Sequence, residues 1–475
     1  MHKLWLPWLI LFGLALGCAA LLVLGSKIGP IAALAVALLP MLAYFAITRP
    51  FIVPYAIYVL LLPFDNVLAF SSGTTLTKFL GIASAGAILL WGIGRRRVLG
   101  PSTTLWLCAL LVFWMAASLL WAFDVKASMS IIPTYVGLFF LYVVLSVVRV
   151  ERQDYVILLI AMVVGSIVAS MYGIAVFHNQ SATDAQALAD NLGRMEVKIG
   201  DNTIDPNAYS DAILLPFCIL LTWGLRSKDL ISKAATLAGI ALMLGAVYVS
   251  ASRGAILAIA TAVGYLIIRS RYRFVLLACA LVPTILIFVT QSALIDRFNE
   301  AQRTGGAGRM GIWSVGMAAF QHHWLIGSGI GNYRALYDTF FIQVYQRYSG
   351  GWGRPSHNLI IQVAVEMGVV GLVLVLTFWA SNLFALRHIR PNSEWYDYRL
   401  ALEAATIGIF VAALSIDLLW FKLTWLVFGT VAQLRALTIT ARARAPALAK
   451  VRGGRARPAP RAAPSPTLQP GRVTG

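Results

Sequence analysis

Charged side chains are scarce in this chain of 475 residues, of which only 12% are Asp, Glu, Lys or Arg. Soluble domains carry about twice that fraction, so the scarcity excludes an ordinary soluble fold. Hydrophobic residues make up 59% of the sequence, and apolar runs near the ~20 residues needed to cross a bilayer recur throughout. The alternating segments of about ten residues that are typical of a membrane β-barrel are absent. The sequence therefore predicts an all-α, polytopic integral membrane protein.

Motifs for metal binding and disulfide formation are also missing. The sequence contains no Cys-x-x-Cys and no His-Glu-x-x-His. Its four cysteines lie singly within apolar runs, which is typical of small buried hydrophobic residues; they are Cys18, Cys108, Cys218 and Cys279. We therefore expect no metal site and no cofactor.

Acidic residues are few, with 19 Asp and Glu against 38 Lys and Arg, which gives a net charge of +19. The last part of the chain, 438–475, is basic, rich in Pro and Ala, and free of acidic residues. Such a composition cannot build a core. It predicts a disordered cytoplasmic tail that is attracted to anionic membrane lipid, in preference to nucleic acid.

The apolar runs predict twelve to fourteen spans separated by two long outer loops. Basic clusters such as Arg95–Arg97 fall on one side if both termini are cytoplasmic, as the positive-inside rule requires. We divide the chain into N-terminal spans (1–177), a first outer loop (178–207), central spans (208–290), a large outer loop (291–357), C-terminal spans (358–437) and the tail (438–475). Individual spans are predicted at about 4–24, 28–48, 52–70, 78–94, 104–121, 131–149, 155–177, 208–225, 234–250, 254–268, 274–290, 358–385, 401–418 and 420–437.

The large outer loop retains more basic than acidic residues, although translocated loops disfavour them. Guanidinium groups bind phosphate oxygens in a bidentate manner, so the loop is predicted to bind an anion. Its arginines are Arg297, Arg303, Arg309, Arg334, Arg347 and Arg354, and its acids are Asp296, Glu300 and Asp338.

His357 opens an apolar helix at the end of this loop. Pro355 disfavours helix before itself, and Ser356 is predicted as the N-cap. His357 would then lie in the first turn, where the helix dipole favours the neutral ring that a general base needs. The alternative is an interfacial histidine that only hydrogen-bonds. Glu366 would face the opposite side of the helix and is interpreted as a structural hydrogen-bonding group.

Two arginines are candidates for phosphate binding. Arg253, beside Ser252, is predicted at the outer end of a span, where a charged residue in an apolar stretch suggests function; the alternative is snorkelling to the interface. Arg309 follows a glycine-rich stretch and could instead be a solvated loop residue. Trp313 could stack on a sugar or anchor the chain at the interface.

The end of the first outer loop contains a helix-start signal, Asp205-Pro206-Asn207. Arg194 and nearby charged residues could bind an acceptor or could simply be solvated, and the sequence does not separate these alternatives. Gly327 to Asn332 looks like a phosphate loop, but no βαβ pattern surrounds it, so a turn before a surface helix is predicted.

Taken together, four segments resemble the O-antigen ligase and polymerase superfamily of bacterial envelope glycosyltransferases. They are DPNAYS at 205–210, SASRG at 250–254, GRMGIWSVGMAAFQHHWLIGSGIGNY at 308–333, and SHNLIIQVAVEMGVVG at 356–371. The last contains a His-Asn-x9-Gly-x-x-Gly element that is fairly specific for the superfamily. One departure is Trp324, where many members have proline.

The resemblance implies a GT-C-like membrane fold with a large periplasmic loop region, in the bacterial inner membrane. It implies metal-independent, inverting transfer of a glycan from undecaprenyl-diphosphate to a sugar hydroxyl of lipid A–core, with membrane lipids as surroundings. His357 matches the proposed base, and Arg253 and Arg309 match the arginines proposed to hold the diphosphate. Further candidates for substrate binding are Arg194, Asn207, Ser252, Trp313 and Asn358.

Several alternatives stay open at this point. A polymerase of O-antigen or exopolysaccharide, or a protein O-oligosaccharyltransferase, would share the chemistry and differ in the acceptor. A transporter of lipid-linked glycan is an alternative from another class, but it would place ionisable groups near the bilayer midplane. The predicted positions of Arg253, Arg309 and His357 at one face favour the enzyme.

Overall fold

The computed structural model describes residues 49–71, 74–183, 197–199, 202–277, 309–345 and 353–453. This part of the chain is predominantly α-helical, so the predicted all-α class is confirmed. The helices are α1 Val53–Leu61, α2 Leu76–Gly94, α3 Thr103–Ala117, α4 Val125–Val147, α5 Arg152–Thr183, α6 Pro206–Arg226, α7 Leu230–Ser250, α8 Arg253–Arg269, α9 Arg309–His322, α10 Tyr333–Tyr345, α11 Leu359–Phe384, α12 Tyr396–Ala413 and α13 Lys422–Gly453.

Short irregular elements connect some of these helices. Two small antiparallel hairpins lie in connections, β1 (Ala69–Ser71) with β2 (Thr74–Thr75), and β3 (Val197–Ile199) with β4 (Asn202–Ile204). The 3-10 turns are Pro50–Ile52, Leu62–Leu68 and Ser118–Trp121.

Among the described residues, seven helices are long and apolar enough to cross a membrane, which confirms the polytopic membrane class. They are α2, α3 with the 3-10 turn that follows it, α4, the Arg152–His178 part of α5, α6, α7 and α11. The spans predicted at 4–24 and 28–48, and most of the one at 274–290, lie outside the described residues. Helix α13 ends at Gly453, beyond residue 438, where the tail was predicted to begin.

The starts of several helices follow directly from their capping residues. Five side chains each accept a hydrogen bond from a backbone N–H in the first turn of the helix that follows; they belong to Asp124, Asp205, Asp229, Ser252 and Asn358. Asp, Ser and Asn are favoured at this position because their side-chain oxygens satisfy amides that have no partner within the helix. The polar residues that interrupt the apolar runs therefore fix where the spans begin.

The core of the helical assembly is rich in aromatic side chains. Tyr142 of α4, Phe378 of α11 and Trp425 of α13 pack against one another with ring centroids 5.4 to 6.1 Å apart. Helix α12 packs most extensively against α8 and also contacts α6. Cys108 and Cys218 are buried and free, as predicted for them; Cys18 and Cys279 lie outside the described residues.

A second, smaller core lies under α9 and α10. These helices occupy part of the predicted large outer loop and pack against each other and against the start of α11. Buried Val315 of α9, Leu336 of α10 and Val365 of α11 contribute to it. The described part of the loop is therefore a packed helical pair.

Helix α11 is broken at Gly368, where the backbone has φ 68° and ψ −170°. The turn between α9 and α10 fills the break. Val369 N donates to Trp324 O at 2.8 Å, Ser328 N donates to Val365 O at 3.0 Å, and Gly329 N donates to Glu366 O at 2.8 Å. Backbone groups released by the break are thus satisfied within the protein, as membrane depth requires.

Glycine is required on both sides of this contact. A Cβ atom on Gly368 would lie 2.2 Å from Leu325 O, and one on Gly327 would lie 2.4 Å from Glu366 O. Both glycines also have positive φ, which other L-residues adopt at a cost. Buried Glu366 accepts from Tyr333 N at 3.2 Å, so it acts as the structural hydrogen-bonding group that we predicted. Gly327 to Asn332 is a turn before a helix, also as predicted.

Candidate active site

Helix starts from distant parts of the sequence meet at the candidate site. Asp205 caps α6, Ser252 caps α8, and Asn358 caps α11. The first two are tied together, because Ser252 Oγ donates to Asn207 Oδ1 at 2.9 Å. Helix N-termini carry partial positive charge from unpaired amides. The convergence therefore creates surroundings that favour an anion.

His357 lies just before α11 and not within its first turn. The N-cap is Asn358, whose side chain accepts from Ile360 N at 2.9 Å and Ile361 N at 3.2 Å. Ser356 as N-cap was therefore wrong, and so was the placement of His357 inside the helix. The Asn358 side-chain oxygen caps the helix because it reaches the amides of Ile360 and Ile361. The Ser356 hydroxyl is bonded to Asp417 instead.

The backbone of His357 is in the left-handed region, with φ 49°. This conformation is uncommon for a residue with a Cβ and is held only when the surroundings enforce it. Here the two neighbours of His357 are both tethered to Asp417. Ser356 Oγ donates to Asp417 Oδ1 at 2.5 Å, and Asn358 N donates to the same oxygen at 3.1 Å.

Asp417 is a site residue that sequence reasoning missed. It lies in the connection between α12 and α13. Its carboxylate is mostly buried. The residues that it binds lie at least 59 positions away along the sequence. The available signal was an acidic residue at the end of a span, on the same predicted face as His357.

Burial lowers the pKa of the His357 imidazole below its usual 6.5, and the nearby Arg309 cation lowers it further. The carboxylates of Asp417 and Asp205 act in the opposite direction. A lowered pKa favours the neutral ring, which is the form that a general base needs. The main physical cause is burial rather than a place within the helix.

Arg253 and Arg309 are the first residues of α8 and α9, and the Arg253 cation acts electrostatically on Arg309. Burial lowers the pKa of Arg309, and the Arg253 cation contributes in the same direction. The carboxylates of Asp205 and Asp417 partly compensate. Arg309 is within electrostatic reach of both Arg253 and His357, and such a pair of guanidinium groups is suited to a doubly charged anion.

The surroundings of Arg253 are tightly packed against the connection that carries Asp417. A Cβ atom on Gly254 would lie 2.2 Å from Ser415 Oγ, so only glycine allows α8 to approach this closely. Asn358 Nδ2 donates to Leu414 O at 3.2 Å from the other side. The start of α8, the start of α11 and residues 414–417 therefore form one contiguous structure.

Trp313 supports the segment that carries His357. Its indole N–H donates to Ser356 O at 3.0 Å, and the residue is partly buried on α9. This contact gives Trp313 a structural role; sugar stacking by its ring stays a prediction. Asn207, Ser252 and Asn358 are likewise engaged in contacts within the protein.

Some predicted residues lie outside the described part of the chain, including Arg194 and the glycines at 305, 306 and 308. Within the described residues, no group of three or more His, Cys, Asp or Glu side chains is arranged to hold a metal ion.

Part of the chain matches a known protein family. Residues 238–376 match the family model described as O-Antigen ligase. The matched range contains Arg253, Arg309 and His357, and it confirms the predicted resemblance for this segment. A search of curated proteins gives no match.

Proposed function

Starting from the O-antigen ligase segment at residues 238–376, we propose that the protein is an O-antigen ligase. In this proposal it transfers a glycan from undecaprenyl-diphosphate to a sugar hydroxyl of lipid A–core. It would lie in the bacterial inner membrane with both termini cytoplasmic and the site on the periplasmic side. The supporting observation is the left-handed backbone of His357 at the start of α11, with Arg309 within electrostatic reach of both His357 and Arg253.

The proposed reaction is a single displacement with inversion. The acceptor hydroxyl oxygen attacks C1 of the donor sugar, and the C1–O bond to the diphosphate breaks on the opposite face. His357 takes the hydroxyl proton on a ring nitrogen. The Asp417 carboxylate, which raises the pKa of His357, stabilises the imidazolium that forms until its proton passes to water.

Arg253 and Arg309 would stabilise the leaving diphosphate. Departure adds negative charge to the phosphate oxygens, and prearranged cations stabilise that charge more in the transition state than in the ground state. The helix starts at Ser252 and Asn358 add amide dipoles. Five further residues are proposed to act at the same site. Four of them would act through the contacts described above, namely Asn207, Ser252, Trp313 and Asn358; the fifth is Arg194.

The test is a transfer assay with purified protein in detergent, with EDTA present. The donor is undecaprenyl-diphosphate-linked glycan, with and without lipid A–core, and His357→Ala is compared with the natural sequence. Acceptor-dependent joining that is lost in the variant, with EDTA tolerated, is the expected result. Full activity of the variant would contradict the base assignment, and loss of activity in EDTA would contradict the metal-independent mechanism.

The same assay separates the alternatives. Lengthening of the donor glycan without acceptor would indicate a polymerase, and joining to a protein acceptor would indicate an O-oligosaccharyltransferase. If the donor crosses a bilayer containing the protein and no glycosidic bond forms, the protein is a transporter.

A further inference from the structure

A cluster of exposed apolar side chains surrounds the turn between α9 and α10. Trp324 is 55% exposed, Leu325 49% and Ile326 38%. Leu120 and Phe123, in the connection between spans α3 and α4, are 87% and 53% exposed. We call these five residues the apolar edge. Soluble surfaces rarely leave such a contiguous group open to water.

Hydrogen bonds join the two halves of the apolar edge. Trp121 Nε1 donates to Ile326 O at 3.2 Å, and Phe123 N donates to Ser328 O at 2.8 Å. The connection at Leu120–Asp124 joins two helices that are long and apolar enough to cross the membrane. It therefore lies where those helices leave the bilayer, and the turn of α9–α10 lies at the same depth.

The apolar edge continues the lipid-facing surface of the spans. Phe113 of α3 is 67% exposed and Met129 of α4 is 57% exposed. On α11, the exposed large hydrophobic residues begin only after the break, at Val369 and Val373. Before the break, α11 is covered by α9 and α10. The boundary between lipid-facing and protein-covered surface therefore passes through Gly368, and the next residue, Val369, donates its N–H to Trp324 O of the same turn.

The direction in which α11 runs before Gly368 shows how this boundary lies relative to the candidate active site. Trp379 Nε1 donates to Thr406 O, and Asn358 Nδ2 donates to Leu414 O. These contacts are about 31 Å apart along a straight α11 and only about 12 Å apart along α12. A straight α11 beside α12 would carry Asn358 well past Leu414. The break at Gly368 accounts for the difference, since the segment Leu359–Met367 can then run sideways at nearly constant depth.

We propose that the apolar edge is inserted into the interfacial layer of the bilayer, and that it holds His357 and Arg309 at the depth of lipid phosphates. The occupant of this surface is the bilayer itself, because the edge is continuous with the lipid-facing spans. The edge contains a tryptophan and a phenylalanine among aliphatic residues, a composition enriched at membrane interfaces. A substrate anchored by a lipid tail would then present its phosphates to Arg309 without leaving the membrane.

Insertion can be measured with a bimane label on Ile326→Cys in full-length protein reconstituted in phosphatidylcholine vesicles. Cys18 and Cys279 are replaced by Ser, and the buried Cys108 and Cys218 are kept. Phe113→Cys, in the middle of α3, gives the lipid-exposed reference. Asn392→Cys, in the polar connection between α11 and α12, gives the aqueous reference. Each sample is quenched with lipid carrying a doxyl group near the headgroup and, separately, with iodide.

We expect the Ile326 label to be quenched by doxyl lipid at least about twofold more than the Asn392 label, with iodide quenching reduced. Quenching of the Ile326 label by doxyl lipid and by iodide to the same extent as the Asn392 label would overturn the proposal. Protection from both quenchers would overturn it as well, because it would mean that protein covers the edge. The measurement needs no substrate, so its outcome is independent of the proposed ligase activity.

Discussion

The left-handed backbone of His357 is enforced by its neighbours and would be easier for glycine to adopt. Ala251, the C-cap of α7, has the same φ of 49° and provides a second position where side chain and conformation conflict. Conformational cost of this kind is of the order of 1 kcal/mol. The backbone of His357 is therefore held in a conformation that is unfavourable for a residue with a side chain.

His357→Gly should lose glycan transfer while its thermal stability in detergent stays equal or rises, because the substitution removes strain together with the ring. Ala251→Gly is the matched control: it should rise in stability by up to about 1 kcal/mol and keep transfer. A large stability loss in His357→Gly would show that the imidazole holds the local structure together.

The two arginines should not tolerate lysine, although charge is conserved. Arg253→Lys and Arg309→Lys each replace a planar fork by a point charge, so we expect kcat/KM for the lipid-linked donor to fall about tenfold or more. Arg390→Lys, at an exposed position between α11 and α12, is the control and should be neutral. Normal kinetics in both site variants would rule out bidentate binding of the diphosphate.

The pH dependence of transfer should report the environment of His357. Because its pKa lies below the usual 6.5, the ring stays neutral at neutral pH, and kcat/KM should fall only as the pH drops through that lowered pKa. Asp417→Asn removes a carboxylate that raises this pKa, so the acidic limb should move to lower pH. The control, Glu394→Gln, removes a carboxylate paired with Arg152 elsewhere and should leave the limb in place. A shift to higher pH in Asp417→Asn would contradict the assignment.

At the scale of the elements, the positions of several long helices could be predicted from the sequence, whereas the break within α11 could not. The predicted spans at 78–94, 208–225 and 358–385 correspond closely to α2, α6 and α11, because apolar length and capping residues are local signals. The break in α11 was missed, since Gly368 alone within an apolar run is compatible with a continuous helix. What makes it a break is the turn at Trp324–Gly329, more than 35 residues away in sequence.

Gly368→Ala should disrupt the contact between α11 and the turn that fills its break. The new methyl group would approach Leu325 O to 2.2 Å, and φ of 68° is unfavourable for alanine, so we expect a stability loss of at least about 2 kcal/mol. Gly264→Ala in α8, where a Cβ would meet nothing within 4 Å, is the control. Thermal unfolding of both variants in detergent measures the effect; equal midpoints would mean that the break can relax.

At the scale of the whole molecule, the first and last described parts of the chain are joined by a partly buried ion pair. Lys422 Nζ lies 2.5 Å from Asp65 Oδ1 and donates to Thr75 and Thr77 hydroxyls at 2.7 Å. Lys422 is mostly buried and begins α13, five residues after Asp417. Sequence reasoning could not find this pair, nor the link from Asp417 to His357, because both depend on contacts between segments far apart along the chain.

Lys422→Met should destabilise the protein by about 3 kcal/mol, because it leaves the Asp65 carboxylate without its cation. The double variant Lys422→Met with Asp65→Asn should recover part of that loss, since no uncompensated charge remains. Unfolding in a denaturing detergent, measured for both single variants and the double variant, gives the coupling energy. Additive losses would show that the two residues act independently.

The broken helix also has a consequence for the order in which the chain is made. Four backbone groups beside the break have their partners in the turn at residues 324–329, namely Val365 O, Glu366 O, Val369 N and Val370 N. That turn leaves the ribosome first, so a template for the break already exists when α11 is synthesised. A circular permutant that delivers α11 before α9 and α10 would let α11 form first as a continuous helix, because the turn that opens it at Gly368 would not yet be present. We expect such a permutant to assemble more slowly in the membrane, although its folded contacts are unchanged.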